Sequence, residues 1–236
     1  MRIVGLTGGI ASGKSTVSNH FRSSGIPIVD ADVVARDVVR KGSAGLKKIV
    51  SAFGEEILLQ RSGELDRARL GEIIFSDPER RRVLNRLLAP YITRGIIWEV
   101  LKLWLRGYEV VVLDIPLLFE TKMNIWTNPV IVVWIDGETQ LRRLMERDGI
   151  SEEQARDRID SQMSLEWKRT NADVVIDNSG SLEDTRLRVE EVLLQDITMP
   201  LTWKEYGISR NGCFVSVFGS GFIAFLAYSI ISMARK

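Results

Sequence analysis

Gly8, Gly9, Ile10, Ala11, Ser12, Gly13, Lys14 and Ser15 run as a glycine, four residues, a second glycine, a lysine and a serine. That spacing suits the cradling of phosphate. Glycines let the backbone wrap close to phosphate oxygens, and the N–H groups converge on them at the positive end of the following helix. Lys14 adds a point charge for β and γ phosphates, Ser15 offers a hydroxyl to Mg²⁺, and Thr16 supports the helix start. The plain alternative is an ordinary glycine-rich turn, and chance gives this spacing in roughly one chain per hundred. Here the motif directly follows a strand-like run and precedes a helical pattern, so residues 8–16 read as a nucleotide-binding loop for ATP. A second constellation is Asp30-Ala31-Asp32, two carboxylates at the carboxyl end of another strand-like run, the edge where ligands bind in open α/β sheets. An aspartate there also commonly caps a helix. Both roles fit together, with Asp30 as the cap and Asp32 as a base.

The elements that must position these groups can be read from the apolar runs. Residues 2–7, 26–29, 110–113, 130–135 and 174–176 are rich in β-branched residues and read as strands, with helical patterns between them. Alternating strands and helices imply a parallel sheet covered on both faces, a three-layer α/β/α arrangement. Residues 78–106 carry Val83, Leu84, Leu87, Leu88, Tyr91 and Ile92 at helical spacing, and Pro90 is expected to kink that helix. The first strand is expected to start at Arg2, so no targeting peptide is expected ahead of it.

Lysine and arginine number 32 against 31 aspartates and glutamates, so no overall field draws in nucleic acid. No basic stripe with interleaved aromatics supports nucleic-acid binding either. Phosphate binding must therefore be local. Cys213 is the only cysteine and cannot form an internal disulfide, which fits a reducing, intracellular compartment. Residues 1–198 are expected to form the catalytic domain and residues 199–212 a linker. Residues 213–233 carry no charged side chain. As a helix rising about 1.5 Å per residue they would span about 31 Å, close to the roughly 30 Å core of a bilayer. They are expected to be a C-terminal transmembrane anchor that leaves the rest of the chain facing the cytosol; a surface-lying or protein-buried helix is the alternative.

Five blocks together resemble the dephospho-CoA kinase family: LTGGIASGKST at 6–16, VDAD at 29–32, IPLLFE at 115–120, ETQLRRLMER at 138–147 and ADVVIDN at 172–178. The resemblance implies a P-loop NTPase fold with a helical lid and acceptor region. It also implies transfer of the ATP γ-phosphoryl group to the ribose 3′-hydroxyl of dephospho-CoA, the last step of coenzyme A synthesis, with Asp32 as general base. An alcohol needs a carboxylate to accept its proton as the bond to phosphorus forms. Asp114 ends the third strand, where a Walker-B-type carboxylate would hold the Mg²⁺ shell; a helix cap is the alternative. Arg143 and Arg147 stand four apart and share a helix face, suited either to closing over phosphates or to pairing with Glu146 or Asp148. In the family the segment around Asp177 and Asn178 lies near the adenine. One departure is Ala89-Pro90, where the family often has His-Pro. The only histidine, His20, lies on the helix after the loop and is expected to be a surface or packing residue. Two rival readings stay open: another small-molecule P-loop kinase with a different acceptor, and a membrane-tethered nucleotide-dependent switch.

Overall fold

Strand β1 (Arg2–Gly8) is buried along almost its whole length, because both of its faces are covered, and so its sequence reads as a continuous apolar run. In this computed structural model, which describes residues 1–75, 77–202 and 205–206, β1 pairs in parallel with β3 (Val110–Asp114) and β4 (Val130–Trp134). β4 pairs in parallel with β5 (Val174–Asp177). With β2 (Ile28–Asp30) beside β3, the strand order is β2-β3-β1-β4-β5. Register puts Leu6 opposite Asp114 and Gly8 opposite Val133, so the loop after β1 and the carboxylate ending β3 emerge at one edge. All five expected strands are present. β2, β3 and β5 each close on an aspartate that an apolar-run criterion leaves out.

The chain divides into two units, Met1–Ile28 with Lys102–Lys236, and Val29–Leu101. In the first, alternate residues of β1 give its two faces different partners. Val4 and Leu6 join Val17 and Phe21 of α1 (Lys14–Ser23) and Val189 and Val192 of α9 (Leu182–Val192) in one buried cluster. Each such fully buried side chain contributes about 2 kcal/mol. The opposite face is approached so closely that a Cβ on Gly5 would meet Thr127 and Leu118. Thr7 on that face donates to the Pro116 carbonyl at 2.9 Å. Helices α6 (Gly137–Asp148), α7 (Glu152–Asp160) and α8 (Leu165–Thr170) follow β4. Part of the stretch expected as a linker is held on β1, since the buried Arg2 bonds the Met199 carbonyl and the Glu205 carboxylate.

The second unit contains α2 (Ala31–Asp37), α3 (Ala44–Phe53), α4 (Arg67–Phe75) and most of α5 (Pro78–Leu105). Its core gathers Val39, Leu46, Ile49, Phe53, Ile57, Leu70 and Leu84. Ser43 caps α3 by accepting from the Leu46 N–H at 3.1 Å. α5 runs through Pro90 as one helix. Pro90 and Arg86, whose carbonyl loses its helical donor, are both exposed, so solvent can satisfy that carbonyl. Ala89, where the family often has histidine, is also exposed. No helix among the described residues is long and apolar enough to cross a membrane, and residues 213–233 lie outside the described residues.

Candidate active site

The loop between β1 and α1 is tight enough to need its glycines. A Cβ on Gly8 would sit 2.5 Å from Ser12 Oγ and 2.8 Å from the Val133 carbonyl oxygen. Gly13 has φ of 84°, and a Cβ there would lie 2.0 Å from Asn178 Nδ2. Either substitution forces backbone or a buried amide to move, and at Gly9 a Cβ would lie 2.7 Å from the buried Gln140 Nε2. The loop closes with Ser12 N–H donating to the Gly9 carbonyl, and α1 starts with Thr16 N–H donating to the Gly13 carbonyl. Among the described residues, none accepts from the N–H groups of Gly13, Lys14 or Ser15. A row of such donors at the start of a ten-residue helix is an anion cradle.

Lys14 pairs with Asp114, whose carboxylate is 3% exposed at the end of β3. A lysine so placed holds a positive charge against a buried carboxylate and remains one side chain's reach from the cradle. Ser15 is exposed at the first turn of α1. The structure thus brings together the loop, Lys14, Ser15 and Asp114.

Asp30 is the expected cap: its Oδ1 accepts from the Asp32 N–H at 2.8 Å and the Val33 N–H at 3.2 Å. Asp32 belongs to the Val29–Leu101 unit, with an exposed side chain that no cation pairs with among the described residues. In that same unit, Arg36, Arg40, Lys41 and Arg67 line a cleft of about 450 Å³, with Glu64 as its only lining carboxylate.

Arg143 and Arg147 of α6 part company. Asp136 caps that helix, its carboxyl held below the usual range chiefly by the Thr139 N–H. Arg143 Nη1 donates to the Asn178 carbonyl at 3.0 Å. Arg147 is exposed and forks onto Asp148, at 2.7 and 3.2 Å, the pairing that a solvated face would make. That pairing raises the Arg147 pKa and, with Arg158, lowers that of Asp148.

Three amide side chains that periodicity did not single out hold the loop itself. Gln162 Oε1 accepts from the Ile10 N–H at 3.0 Å, and Gln140 Nε2 donates to the Ile10 carbonyl at 2.9 Å. Asn178 Nδ2 donates to the Ser12 carbonyl at 2.8 Å, and its own Oδ1 accepts from Thr185 at 2.6 Å. Gln140 and Asn178 fall inside the sequence blocks quoted above. Their burial was the missing signal, since an amide on a helix face or just past a strand reads as solvated until the fold covers it.

The family model described as dephospho-CoA kinase matches residues 2–184. The dephospho-CoA kinase of Oryza sativa subsp. japonica is 65% identical over 214 residues, covering 91% of this chain and 92% of that one. That of Arabidopsis thaliana is 64% identical over 220 residues, covering 93% and 94%. Among solved structures, the dephospho-CoA kinase from Campylobacter jejuni is 33% identical with a TM-score of 0.65, covering 83% of this chain and 97% of that one.

Proposed function

The chain belongs to the dephospho-CoA kinase family, and on that premise we propose that it moves the γ-phosphoryl group of ATP to the ribose 3′-hydroxyl of dephospho-CoA, completing coenzyme A. It is an enzyme, a phosphotransferase with an alcohol acceptor. The observation that carries the reading is the cradle of unaccepted N–H groups with Lys14 beside it. Offered ATP with dephospho-CoA, a nucleoside or a nucleoside monophosphate, the protein should phosphorylate dephospho-CoA alone. Transfer to a nucleoside, or loss of ATP with no acceptor phosphorylated, would favour the rival kinase or the switch.

Each residue then has a task. The loop N–H groups hold the phosphates of ATP, and Lys14 leaves Asp114 for the β and γ oxygens. Asp32 takes the proton of the ribose hydroxyl. Arg143 and Arg147 exchange their present partners for the phosphoryl oxygens, where charge spreads in the transition state. The cleft of Arg36, Arg40, Lys41 and Arg67 suits the diphosphate of the acceptor. Ser15 and Asp114 fit Mg²⁺, a hard ion that takes few protein oxygens and keeps several waters. When bound, it neutralises charge between β and γ oxygens.

Residues 213–233 supply the second part of the proposal, from sequence alone. An uncharged stretch of bilayer length, outside the family blocks, anchors the chain in an intracellular membrane with its kinase facing the cytosol. Alkaline carbonate should leave the full chain in membranes, while a truncation after Tyr206 should be soluble and active. Release of the full chain by carbonate sinks the anchor.

A further inference from the structure

Ile10 stands in the outer half of the phosphate loop, and both of its backbone groups are taken by side chains from outside the loop. The N–H goes to Gln162 Oε1 and the carbonyl receives Gln140 Nε2. Gln140 is 5% exposed and lies on α6, three residues before Arg143 and so on the same face. Gln162 follows directly on α7. A third tie runs in the same direction: Arg143 holds the Asn178 carbonyl while the Asn178 amide holds the Ser12 carbonyl. One amide acts as donor and the other as acceptor, so the orientation of the Ile10 peptide is defined from both ends.

We propose that Gln140 and Gln162 are positioning residues for the nucleotide phosphates, fixing the Ile10 peptide so that the loop stays shaped as a cradle and moves with the α6–α7 segment that carries Arg143. The proposal rests on the reading of residues 8–16 as the ATP site. It has a chemical asymmetry that a general packing role lacks. A glutamate at position 162 can still accept from the Ile10 N–H. At position 140 a carboxylate would face the Ile10 carbonyl oxygen with no hydrogen between them, so Gln140→Glu should open the loop. Burial against an acceptor raises that glutamate's pKa, and its protonated form is again a donor.

The test is the affinity of each variant for a non-hydrolysable ATP analogue, titrated without acceptor, alongside dephospho-CoA affinity and thermal melting. Gln162→Glu keeps the acceptor for the Ile10 N–H while adding a charge beside the phosphates, so it should lose clearly less affinity for the analogue than Gln140→Glu. Gln140→Glu should bind it about 10- to 100-fold more weakly at neutral pH, the range for an unsatisfied buried partner, with acceptor affinity unchanged. Its affinity relative to wild type should recover as pH falls through the raised carboxyl pKa. Equal losses in both variants, or a loss at Gln140→Glu with no recovery in acid, overturn the proposal. Should Gln140→Glu not fold, Gln162→Leu decides, with about a tenfold loss for the nucleotide alone expected and an unchanged affinity contradicting it. A wild-type protein that fails to bind the analogue would instead indict the ATP site.

Discussion

In the proposed reaction Lys14 stabilises charge and Asp32 accepts a proton, and their substitutions should separate accordingly. Lys14→Ala removes a preorganised charge at the phosphates, so turnover should fall about 10²- to 10³-fold, near 3 kcal/mol or more of transition-state stabilisation. Near-normal turnover would remove Lys14 from the chemistry. Asp32→Asn keeps the shape and loses the proton acceptor. Nucleotide affinity should persist while kcat drops by about 10²-fold or more. Lost ATP binding with turnover per bound ATP intact would make Asp32 a structural residue. Lys14, Asp30 and Asp32 stood out in the sequence because their types and spacing have few other uses, and Asp30 took the capping role foreseen for it. Gln140, Gln162 and Asn178 were not legible, since an amide owes its role to what covers it.

Among the elements, the short helix α8 shows how burial decides which polar contacts matter. Its Lys168 side chain is fully buried and pairs with Glu120 at 2.7 Å. It also reaches the Pro116 carbonyl, the acceptor that Thr7 uses from β1. The turn after Asp114 is thus tied to both β1 and α8. Lys168→Met leaves the Glu120 carboxylate without its cation, and should cost about 3 to 5 kcal/mol in a denaturant titration. Adding Glu120→Leu should restore much of that loss; a single variant as stable as wild type would show that the pair holds nothing. Strands were legible because apolar runs bounded by glycine and aspartate have few alternatives. The apolar-run criterion alone stops one residue short at β2, β3 and β5, because each closes on an aspartate. Pro90 is accommodated inside α5 on an exposed face, where a missing hydrogen bond costs little.

At the scale of the whole molecule, a long-range tie joins β1 to the far end of the described chain. Arg2 is buried and its guanidinium forks onto Glu205 at 2.7 and 2.9 Å while holding the Ile197 and Met199 carbonyls. The Arg2 hydrogen bonds push the Glu205 pKa down from 4.5 to about 2. A depressed carboxyl pKa contributes stability above its unfolded value and loses it as pH falls through the folded one. The loss should therefore fall between pH 4.5 and about 2, amounting to roughly 3 kcal/mol. Glu205→Gln should flatten acid unfolding in that window, and an unchanged acid slope would refute the assignment. This tie was illegible in the sequence, where Arg2 reads only as the start of a strand. The account of the molecule as a kinase meets its most direct test in the position of the transferred phosphate. With ATP, Mg²⁺ and dephospho-CoA, mass and NMR of the product should place one new phosphate on the ribose 3′ oxygen, and a 3′-deoxy acceptor should bind and stay unmodified. Phosphate elsewhere on either acceptor, or ATP consumed with the acceptor untouched, would contradict it.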